Sequence, residues 1–194
     1  MIERHPLQPF LPANAKVLFL GSFPPPKKRW CMEFYYPNFL NDHWRLEGEI
    51  WFHDKNHFVD LERKSFKKDE IIAFLKEKGI AFFDTAMAVN RLKDNASDAI
   101  LEIVERTDIR ALLAKMPQCK AIATTGEKAT IEVCEYFNIS EIPAPNSKIT
   151  LGNDLVLYRL PSSSRAYPLA FEKKAESYRK MFEEVLSCQQ CHKQ

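Results

Sequence analysis

The sequence lacks long hydrophobic runs, a regular cysteine framework and a strong net charge. Its apolar runs are a few residues long and its first six residues carry no apolar signal-peptide core, so we expect no membrane span, no export and a cytoplasmic location. The five cysteines form no even, regular set, which argues against a disulfide framework. A formal net charge of +2 does not by itself indicate a nucleic-acid-binding protein, because such domains are often far more basic. A site for a polyanion must therefore come from local clustering of charge.

The length and composition of the chain are typical of one soluble globular domain. The chain has 194 residues, of which 45% are hydrophobic and 28% charged, and it shows neither an internal repeat nor a low-complexity linker. We predict a single domain over residues 1–194, with its core over about residues 16–186 and a flexible tail over residues 187–194.

Short apolar runs alternate with segments of helical periodicity. The runs at residues 16–20, 80–83, 121–124 and 155–160 lack polar alternation, which is typical of parallel strands covered on both faces. Apolar residues at helical spacing predict helices over residues 69–78, 97–105, 108–115, 126–137 and 172–186, and Gly79 suits a left-handed helix cap. This alternation predicts an α/β protein built as a three-layer α/β/α sandwich.

Two of the predicted strands end in turns of small residues. Residues 21–24, Gly-Ser-Phe-Pro, follow the first strand, and residues 161–164, Pro-Ser-Ser-Ser, follow the last. Because ligands of open parallel sheets bind outside the carboxyl ends of the strands, both turns are predicted to open into one site.

The segment over residues 24–66 is long, irregular in pattern and rich in aromatic side chains. Long segments after a first strand are usually functional or disordered, and this aromatic content argues against disorder. We interpret the segment as a lid or pocket wall, with Tyr35 and Tyr36 as its most informative pair. The alternative is that the aromatic side chains simply pack a helix around residues 39–52 onto the sheet.

Five short motifs, in this order, resemble the uracil-DNA glycosylase superfamily, and the pattern is closest to the branch known for hypoxanthine-DNA glycosylase activity. They are Gly-Ser-Phe-Pro at residues 21–24, Tyr-Tyr at 35–36 with Asn-Asp-His-Trp at 41–44, Gly-Ile-Ala-Phe-Phe-Asp at 79–84, Thr-Gly-Glu-Lys-Ala at 125–129 and Leu-Pro-Ser-Ser-Ser at 160–164. The resemblance extends from about residue 16 to about residue 184.

The resemblance implies a central four-stranded parallel sheet and a base-excision activity, the hydrolysis of the N-glycosidic bond of a deaminated base in DNA. Hypoxanthine, uracil and xanthine are the expected bases, and such an enzyme must flip the nucleotide out of the stack into a pocket. The expected partner is DNA, duplex or single-stranded, bound by a monomer without a cofactor. Two alternatives stay open: a weak or inactive module that binds damaged or single-stranded DNA, and an enzyme acting on free nucleosides or nucleotides.

In that branch the asparagine after the double tyrosine matters for catalysis, and it corresponds to Asn41 here. An amide is not a general base near neutral pH, but its carbonyl oxygen can orient a water molecule toward the sugar carbon. That suffices when the sugar becomes oxocarbenium-like before attack. The alternative is that Asn41 caps the helix leading into Trp44, for which asparagine is well suited. Asp42 and His43 are polar enough for similar work.

The resemblance places the base against Gly21, Ser22, Phe23, Tyr36 and Asp84. The first three residues would shape the pocket floor, and Tyr36 or Phe23 would stack on the base. Asp84 follows the second predicted strand, where the superfamily often carries an asparagine that reads the base edge. An ionised carboxylate accepts hydrogen bonds and donates none. It can receive an N–H of hypoxanthine, uracil or xanthine, so its chemistry does not distinguish these bases. The alternative is that Asp84 caps the following element.

Residues of the last turn are expected to contact the DNA backbone. Ser162, Ser163 and Ser164 offer hydroxyl and backbone N–H groups suited to phosphate. Arg165 could hold a further phosphate, and Tyr167 could fill the gap that the flipped base leaves. The alternative is an ordinary serine-rich turn.

Two further basic features are weighed in the same way. Gly126 with Lys128, at a predicted helix start, could bind another phosphate or form only a strand-to-helix connection. Residues 27–29, Lys-Lys-Arg, could form a strand-facing patch or a solvated loop.

Three positions depart from the superfamily. Phe23 stands where several relatives carry a water-positioning polar residue, and Leu160 stands where the strongest uracil enzymes have a histidine. Pro25 replaces a common glycine and removes a backbone donor. We therefore expect an enzyme with a low catalytic rate or a narrow range of substrate bases.

No metal site is expected. Cys188 and Cys191 have ligand-like spacing, but they lack the second pair that a closed zinc site needs. The cysteines do not match the iron–sulfur cluster positions of some relatives. His53 and His57 lack the glutamate of the helical zinc-protease pattern.

Overall fold

The structure is a computed structural model that describes residues 2–91 and 101–186. Its helices are α1 His43–Phe52, α2 Lys68–Lys78, α3 Ile109–Ala114, α4 Glu127–Tyr136 and α5 Phe171–Leu186, with a 3₁₀ turn at Lys27–Arg29. Its strands are β1 Ile2–Arg4, β2 Val17–Gly21, β3 Val59–Asp60, β4 Ser65–Phe66, β5 Ile80–Asp84, β6 Ala86–Arg91, β7 Leu101–Arg106, β8 Ala121–Thr125, β9 Ser147–Gly152 and β10 Leu155–Leu160.

The central sheet has five strands in the order β5-β2-β8-β10-β9. The first four are parallel, and each lies within one residue of a predicted strand, whereas β9 pairs antiparallel with β10 at the edge. The expectation of a four-stranded sheet therefore omits this edge strand. The turn between β9 and β10 has positive φ angles at Gly152, Asn153 and Asp154, a conformation that tight hairpin turns require.

Helices cover both faces of this sheet. Phe19 of β2 packs against Phe182 of α5, and α1 lies beside α5. The hydroxyl of Thr124 in β8 is hydrogen-bonded to that of Thr130 in α4 at 2.8 Å, and Thr124 is the register partner of Leu20. Because successive side chains of a strand point to opposite faces, α4 lies on the face opposite to α1 and α5. The sheet thus lies between two helical layers.

A second, antiparallel sheet in the order β1-β6-β7 is absent from the sequence prediction. The helix predicted over residues 97–105 is wrong from Leu101 onward, since those residues form β7; residues 97–100 lie outside the described residues. Leu101 is buried, Glu102 is exposed and Ile103 is half-buried, which is a period of two. The same apolar residues also fit helical spacing, and pairing with β6 decides in favour of the strand.

The other four predicted helices are confirmed as α2, α3, α4 and α5, each within one residue of its predicted bounds. Gly79 ends α2 in the left-handed conformation with φ of 72°, and Asp108 caps α3 by accepting a hydrogen bond from the N–H of Ala111. The aromatic segment contains α1, which confirms that a helix packs there. No helix in the described ranges has the length and apolar character needed to span a bilayer.

The N-terminal segment runs along β5. Phe10 forms an antiparallel bridge with Phe82 of β5, and the backbone N–H of His5 donates to the carbonyl of Met87 in β6 at 2.8 Å. These bonds bring the His5 side chain, which is 1% exposed, to Asp84 at the carboxyl end of β5.

Candidate functional site

A cavity of about 510 Å³ opens at the carboxyl ends of the parallel strands. Its walls come from the ends of β2, β5 and β8, from the turn after β10 and from the aromatic segment. This is the edge at which open parallel sheets bind their ligands. The predicted site residues that line it are Gly21, Ser22, Phe23, Tyr36, Asn41, Asp84, Ser162, Ser163 and Ser164.

Asp84, the last residue of β5, is held by its backbone and by its side chain. The hydroxyl of Thr107 donates to the carbonyl of Asp84 at 2.7 Å, and the N–H of Thr85 donates to the carbonyl of Gly21 at 2.8 Å. The carboxylate lies 2.8 Å from Nε2 of His5. Strand β6 begins two residues later, so Asp84 caps no helix, and the capping alternative is wrong.

Gly21, the last residue of β2, is the register partner of Asp84. A Cβ atom built on Gly21 would lie 2.4 Å from Oδ1 of Asp84, well inside van der Waals contact. Glycine is therefore required here by the close approach of the carboxylate rather than by an unusual φ angle.

His5 is a site residue that sequence reasoning misses. Its ring contacts Phe23 and Phe83, with ring centroids 5.4 Å and 4.6 Å away, and its Nδ1 meets the backbone of Leu7. Because His5 lies 79 residues before Asp84, no local sequence pattern indicates that their side chains are in contact. The pairing of β1 with β6 creates it.

Tyr36 is fixed in the cavity wall by its backbone, its hydroxyl and its ring. Its φ angle of 49° lies in the left-handed region, which a tyrosine adopts only when its surroundings hold it there. Its hydroxyl shares a hydrogen bond with the hydroxyl of Thr125 at the end of β8. Its ring stacks on that of His43.

Asn41 lines the cavity and also meets the start of α1. Its Oδ1 accepts a hydrogen bond from the N–H of His43, the first residue of α1, at 2.9 Å, so Asn41 caps this N–H although the N-cap position itself is Asp42. Its backbone bridges that of Ser164, and the neighbouring N–H of Asp42 donates to the carbonyl of Ser163 at 3.0 Å. Because an amide oxygen has two acceptor sites, the capping bond leaves one for a water molecule.

Hydrogen bonds hold the serine turn, residues 161–164, in place. The buried Lys174 donates from Nζ to the carbonyl of Ser164 at 2.7 Å, and burial lowers the pKa of this lysine while Asp42 opposes the shift. The hydroxyl of Ser162 accepts from the N–H of Ser164 at 3.2 Å. Arg165 donates from Nε to Asp42 at 2.7 Å, which links the serine turn to the Asn41 segment.

Four of the predicted DNA-contact residues lie outside the cavity lining, namely Arg165, Tyr167, Gly126 and Lys128. Nζ of Lys128 donates to the carbonyl of Leu101 in β7 at 2.8 Å, so this lysine joins α4 to the second sheet. Gly126 has φ of 136°, a conformation that L-residues rarely adopt, at the start of α4.

The three positions that depart from the superfamily pattern have apolar or structural surroundings. Phe23 lines the cavity and packs against the second sheet. The carbonyl of Pro25 accepts a hydrogen bond from the indole of Trp30 at 2.7 Å. Leu160 is buried in the main core. Of the basic residues 27–29, the exposed Arg29 lines the cavity.

A fully buried pair of polar side chains, His43 and Glu47, lies behind the cavity wall. His43 is among the candidates predicted from the sequence, whereas Glu47 is not. Nε2 of His43 is 3.6 Å from Oε1 of Glu47, one helical turn further along α1. Burial lowers the pKa of His43 to about 3. Burial raises the pKa of Glu47 to about 8, while a hydrogen bond from Trp51 opposes the shift. Both side chains are therefore neutral near pH 7, so the pair is no ion pair.

The described residues show no metal site. Within residues 2–91 and 101–186, no three His, Cys, Asp or Glu side chains converge as metal ligands. His53 ends α1 in the left-handed conformation, and His57 stacks on Phe52. Cys188 and Cys191 lie outside the described residues.

The fold is that of an α/β protein with a cavity at the carboxyl edge of a mainly parallel sheet. The chain is similar to the solution NMR structure of a Methanosarcina acetivorans protein provisionally named as a uracil DNA glycosylase. The two have a TM-score of 0.62 and 23% sequence identity, over 95% of this chain and 99% of that one. No protein-family model and no curated protein sequence matches. This likeness confirms the predicted similarity at the level of the fold.

Proposed function

We propose that the protein is a DNA glycosylase that hydrolyses the N-glycosidic bond of a deaminated base in DNA. The observation that carries the proposal is the convergence of Tyr36, Asn41, Asp84 and the serine turn on one cavity of about 510 Å³. A cavity of this size accommodates a single base, because small-ligand pockets range from about 300 to 1,000 Å³. The resemblance in fold supports the same activity.

Base stacking, reading of the base edge and phosphate contact each have candidate groups in the cavity. A flipped base needs a stacking surface, which Tyr36 or Phe23 supplies, and a reader for its edge, which Asp84 supplies. Ser162, Ser163 and Ser164 offer polar groups to the phosphates that flank the flipped nucleotide. The exposed Arg29 at the cavity mouth adds positive charge on the side from which a polyanion arrives.

In the proposed chemistry, the bond between the sugar carbon and the base nitrogen breaks first and gives the sugar oxocarbenium character. Asn41 holds a water molecule through the acceptor site of Oδ1 that the capping bond leaves unused, and this water adds to the sugar carbon as one of its protons passes to the departing base. The products are the free base and an abasic site. The buried Leu160 gives no charge to stabilise the departing base, so a low rate follows.

The hypoxanthine-DNA glycosylase-like branch supplies the finer part of the proposal. Hypoxanthine, with uracil and xanthine as further candidates, is the proposed substrate base, in duplex or single-stranded DNA. The proposed enzyme acts as a monomer without metal or cofactor in the cytoplasm, on nucleoid DNA.

The test uses labelled oligonucleotides that contain uracil, hypoxanthine, xanthine or a G·T mismatch, each in single- and double-stranded form. Excess protein is added, and hot alkali then converts abasic sites into strand breaks. We expect scission with at least one deaminated base and a large loss in the Asn41→Ala variant. Absence of scission on every substrate would overturn the proposal. Turnover of inosine without any preference for the polymer would indicate an enzyme of free nucleosides instead.

A binding module without chemistry is the second candidate, and two observations favour it. Oδ1 of Asn41 already accepts a backbone hydrogen bond, and Phe23 occupies the place of a water-positioning polar residue. This candidate predicts binding of damaged or single-stranded DNA that weakens with salt, in a gel-shift assay, with no scission.

A further inference from the structure

The carboxylate of Asp84 has one oxygen engaged inside the protein. Oδ2 lies 2.8 Å from Nε2 of His5, and the two side chains are 10% and 1% exposed. Because an ionised carboxylate only accepts hydrogen bonds, Nε2 of His5 is the donor of this bond when Asp84 is ionised. The rings of Phe23 and Phe83 pack against the imidazole.

The other oxygen, Oδ1, lies on the Gly21 side. Gly21 and Asp84 both line the cavity, and Oδ1 occupies the space that a Cβ on Gly21 would need. Tyr35, a cavity neighbour, has a raised pKa because of burial first and of the Asp84 charge second. The cavity therefore presents one acceptor oxygen of Asp84 beside Gly21, which has no side chain.

Deamination changes the edge of a base in a way that such an acceptor detects. Adenine and cytosine carry a ring nitrogen with a lone pair at the centre of the pairing edge, and their deaminated forms, hypoxanthine and uracil, carry an N–H there. A carboxylate oxygen attracts the N–H and repels the lone pair. Guanine presents two neighbouring donors, which suit a carboxylate with both oxygens available.

We propose that His5, by occupying Oδ2 of Asp84, makes the cavity a reader of one ring N–H, which selects uracil and hypoxanthine and gives guanine no advantage from its second donor. His5 is thereby a specificity-determining residue that acts through Asp84. This inference rests on the proposed function, since it names the substrate class of the same cavity.

The probe is a set of oligonucleotides with one 2′-fluoroarabino nucleotide, which resists cleavage and so reports binding alone. The bases are uracil, N3-methyluracil, cytosine, hypoxanthine, N1-methylhypoxanthine and guanine, and Kd is measured by fluorescence anisotropy. Methylation replaces the ring N–H, so we expect it to weaken binding about 10- to 100-fold, as for a lost bond to a charged group. Cytosine is expected to bind as weakly as N3-methyluracil, and guanine no more tightly than hypoxanthine.

Two variants isolate His5. His5→Phe keeps a ring between Phe23 and Phe83 but removes the donor, which leaves Oδ2 of Asp84 without this partner. With both oxygens of Asp84 available, guanine gains from its second donor, so the guanine-to-hypoxanthine affinity ratio is expected to rise. His5→Gln retains an N–H and is expected to keep the ratio. His57→Phe, which alters a histidine outside the cavity, serves as the matched control.

The ratio is insensitive to partial unfolding, because both ligands are measured on one preparation. Equal affinity for uracil and N3-methyluracil in the wild type, or a guanine-to-hypoxanthine ratio unchanged in His5→Phe, would overturn the inference. Scission assays on ordinary DNA are run in parallel. Discrimination without scission would overturn the proposed function and leave the inference on recognition standing, so the two failures are distinguishable.

Discussion

The phenol ring of Tyr36 lies flat on the imidazole of His43, with ring centroids 3.8 Å apart and planes inclined by 5°. His43 is fully buried in α1, whereas Tyr36 lines the cavity. The stack therefore connects the wall of the candidate site to the buried His43–Glu47 pair, and a change at either ring is expected to reach the other.

Tyr36→Phe and Tyr36→Leu are expected to differ. Tyr36→Phe keeps the ring and loses the bond to Thr125, so unfolding free energy falls by about 1 kcal/mol and DNA affinity changes little. Tyr36→Leu loses the flat ring, and base stacking is worth about 1–3 kcal/mol, so affinity for the damaged oligonucleotide falls about 5- to 150-fold. Denaturant titration and anisotropy measure the two quantities.

The control for Tyr36 is Tyr158→Phe, which loses a hydroxyl bond to Glu184 outside the cavity. It is expected to leave DNA affinity unchanged. Equal affinity of Tyr36→Leu and the wild type would contradict a stacking role.

The buried pair predicts a decline of stability in mild alkali. Glu47 stays protonated in the folded protein up to about pH 8, whereas the unfolded chain loses this proton above about pH 4.5. The unfolded state therefore binds fewer protons, and stability falls by about 1.4 kcal/mol per pH unit in that range. Between pH 4.5 and 6.5 His43 opposes this slope, because its unfolded form gains a proton that the folded form does not take up.

The net contribution of the pair is thus a loss of about 2 kcal/mol between pH 6.5 and 8, and a separate loss below pH 4.5 as His43 dominates. Glu47→Gln keeps an acceptor for Trp51 and removes the titration. Urea unfolding from pH 6 to 8.5 is expected to show the alkaline decline in the wild type and its absence in Glu47→Gln. Parallel curves for the two proteins would show that Glu47 does not titrate as described.

Gly21→Ala is expected to act through Asp84. The new methyl group would lie 2.4 Å from Oδ1, so the carboxylate must shift from its position. Overpacking of this kind costs about 1–3 kcal/mol of stability, and we expect scission of deaminated DNA to fall at least about tenfold. Thermal unfolding and single-turnover scission measure the effects.

A double-mutant cycle provides the matched control for this substitution. In an Asp84→Ala background the clash has no partner, so Gly21→Ala is expected to cost little further stability or activity. Additive effects of the two changes would place the role of Gly21 elsewhere.

Asn41 is expected to separate into a structural and a catalytic contribution. Asn41→Ala removes the acceptor for the N–H of His43 and lowers unfolding free energy by about 1 kcal/mol. Asn41→Ser retains a short capping oxygen, which restores stability, but its hydroxyl does not extend as far toward the cavity. Both variants are expected to lose scission. Recovery of scission together with stability in Asn41→Ser would reduce Asn41 to a helix cap.

The sequence predicts the parts of the fold that carry their own signal. Strands β2, β5 and β8 are apolar runs buried on both faces, β10 is a mainly apolar run of buried and half-buried residues, and four helices have clear apolar spacing and end signals. Strand β9 alternates half-buried and exposed residues, and this period with the Gly152-Asn153-Asp154 turn is a hairpin signal that could have revealed it. Strands β1, β6 and β7 are defined only by pairing with each other, and Leu101 and Ile103 suit helix and strand alike.

The same limit applies to the candidate site. Residues in or beside strand-end turns, such as Gly21, Asp84 and Ser163, are predictable because the topology brings strand ends together. His5 and Glu47 are not, since their roles depend on burial and on contacts that no motif encodes. The substrate preference and the roles of the lining residues stay predictions.

The cavity draws its walls from positions as distant as Gly21, Asp84, Thr125 and Ser163, so no local segment contains it. Helices such as α5 can form early from nearby contacts, whereas parallel pairing of β2, β8 and β10 closes long loops and is intrinsically slow. Base binding is therefore a late event in refolding. During refolding, affinity for a damaged oligonucleotide should return later than the helical circular dichroism signal. The time at which affinity returns then reports when the last strand joins the sheet.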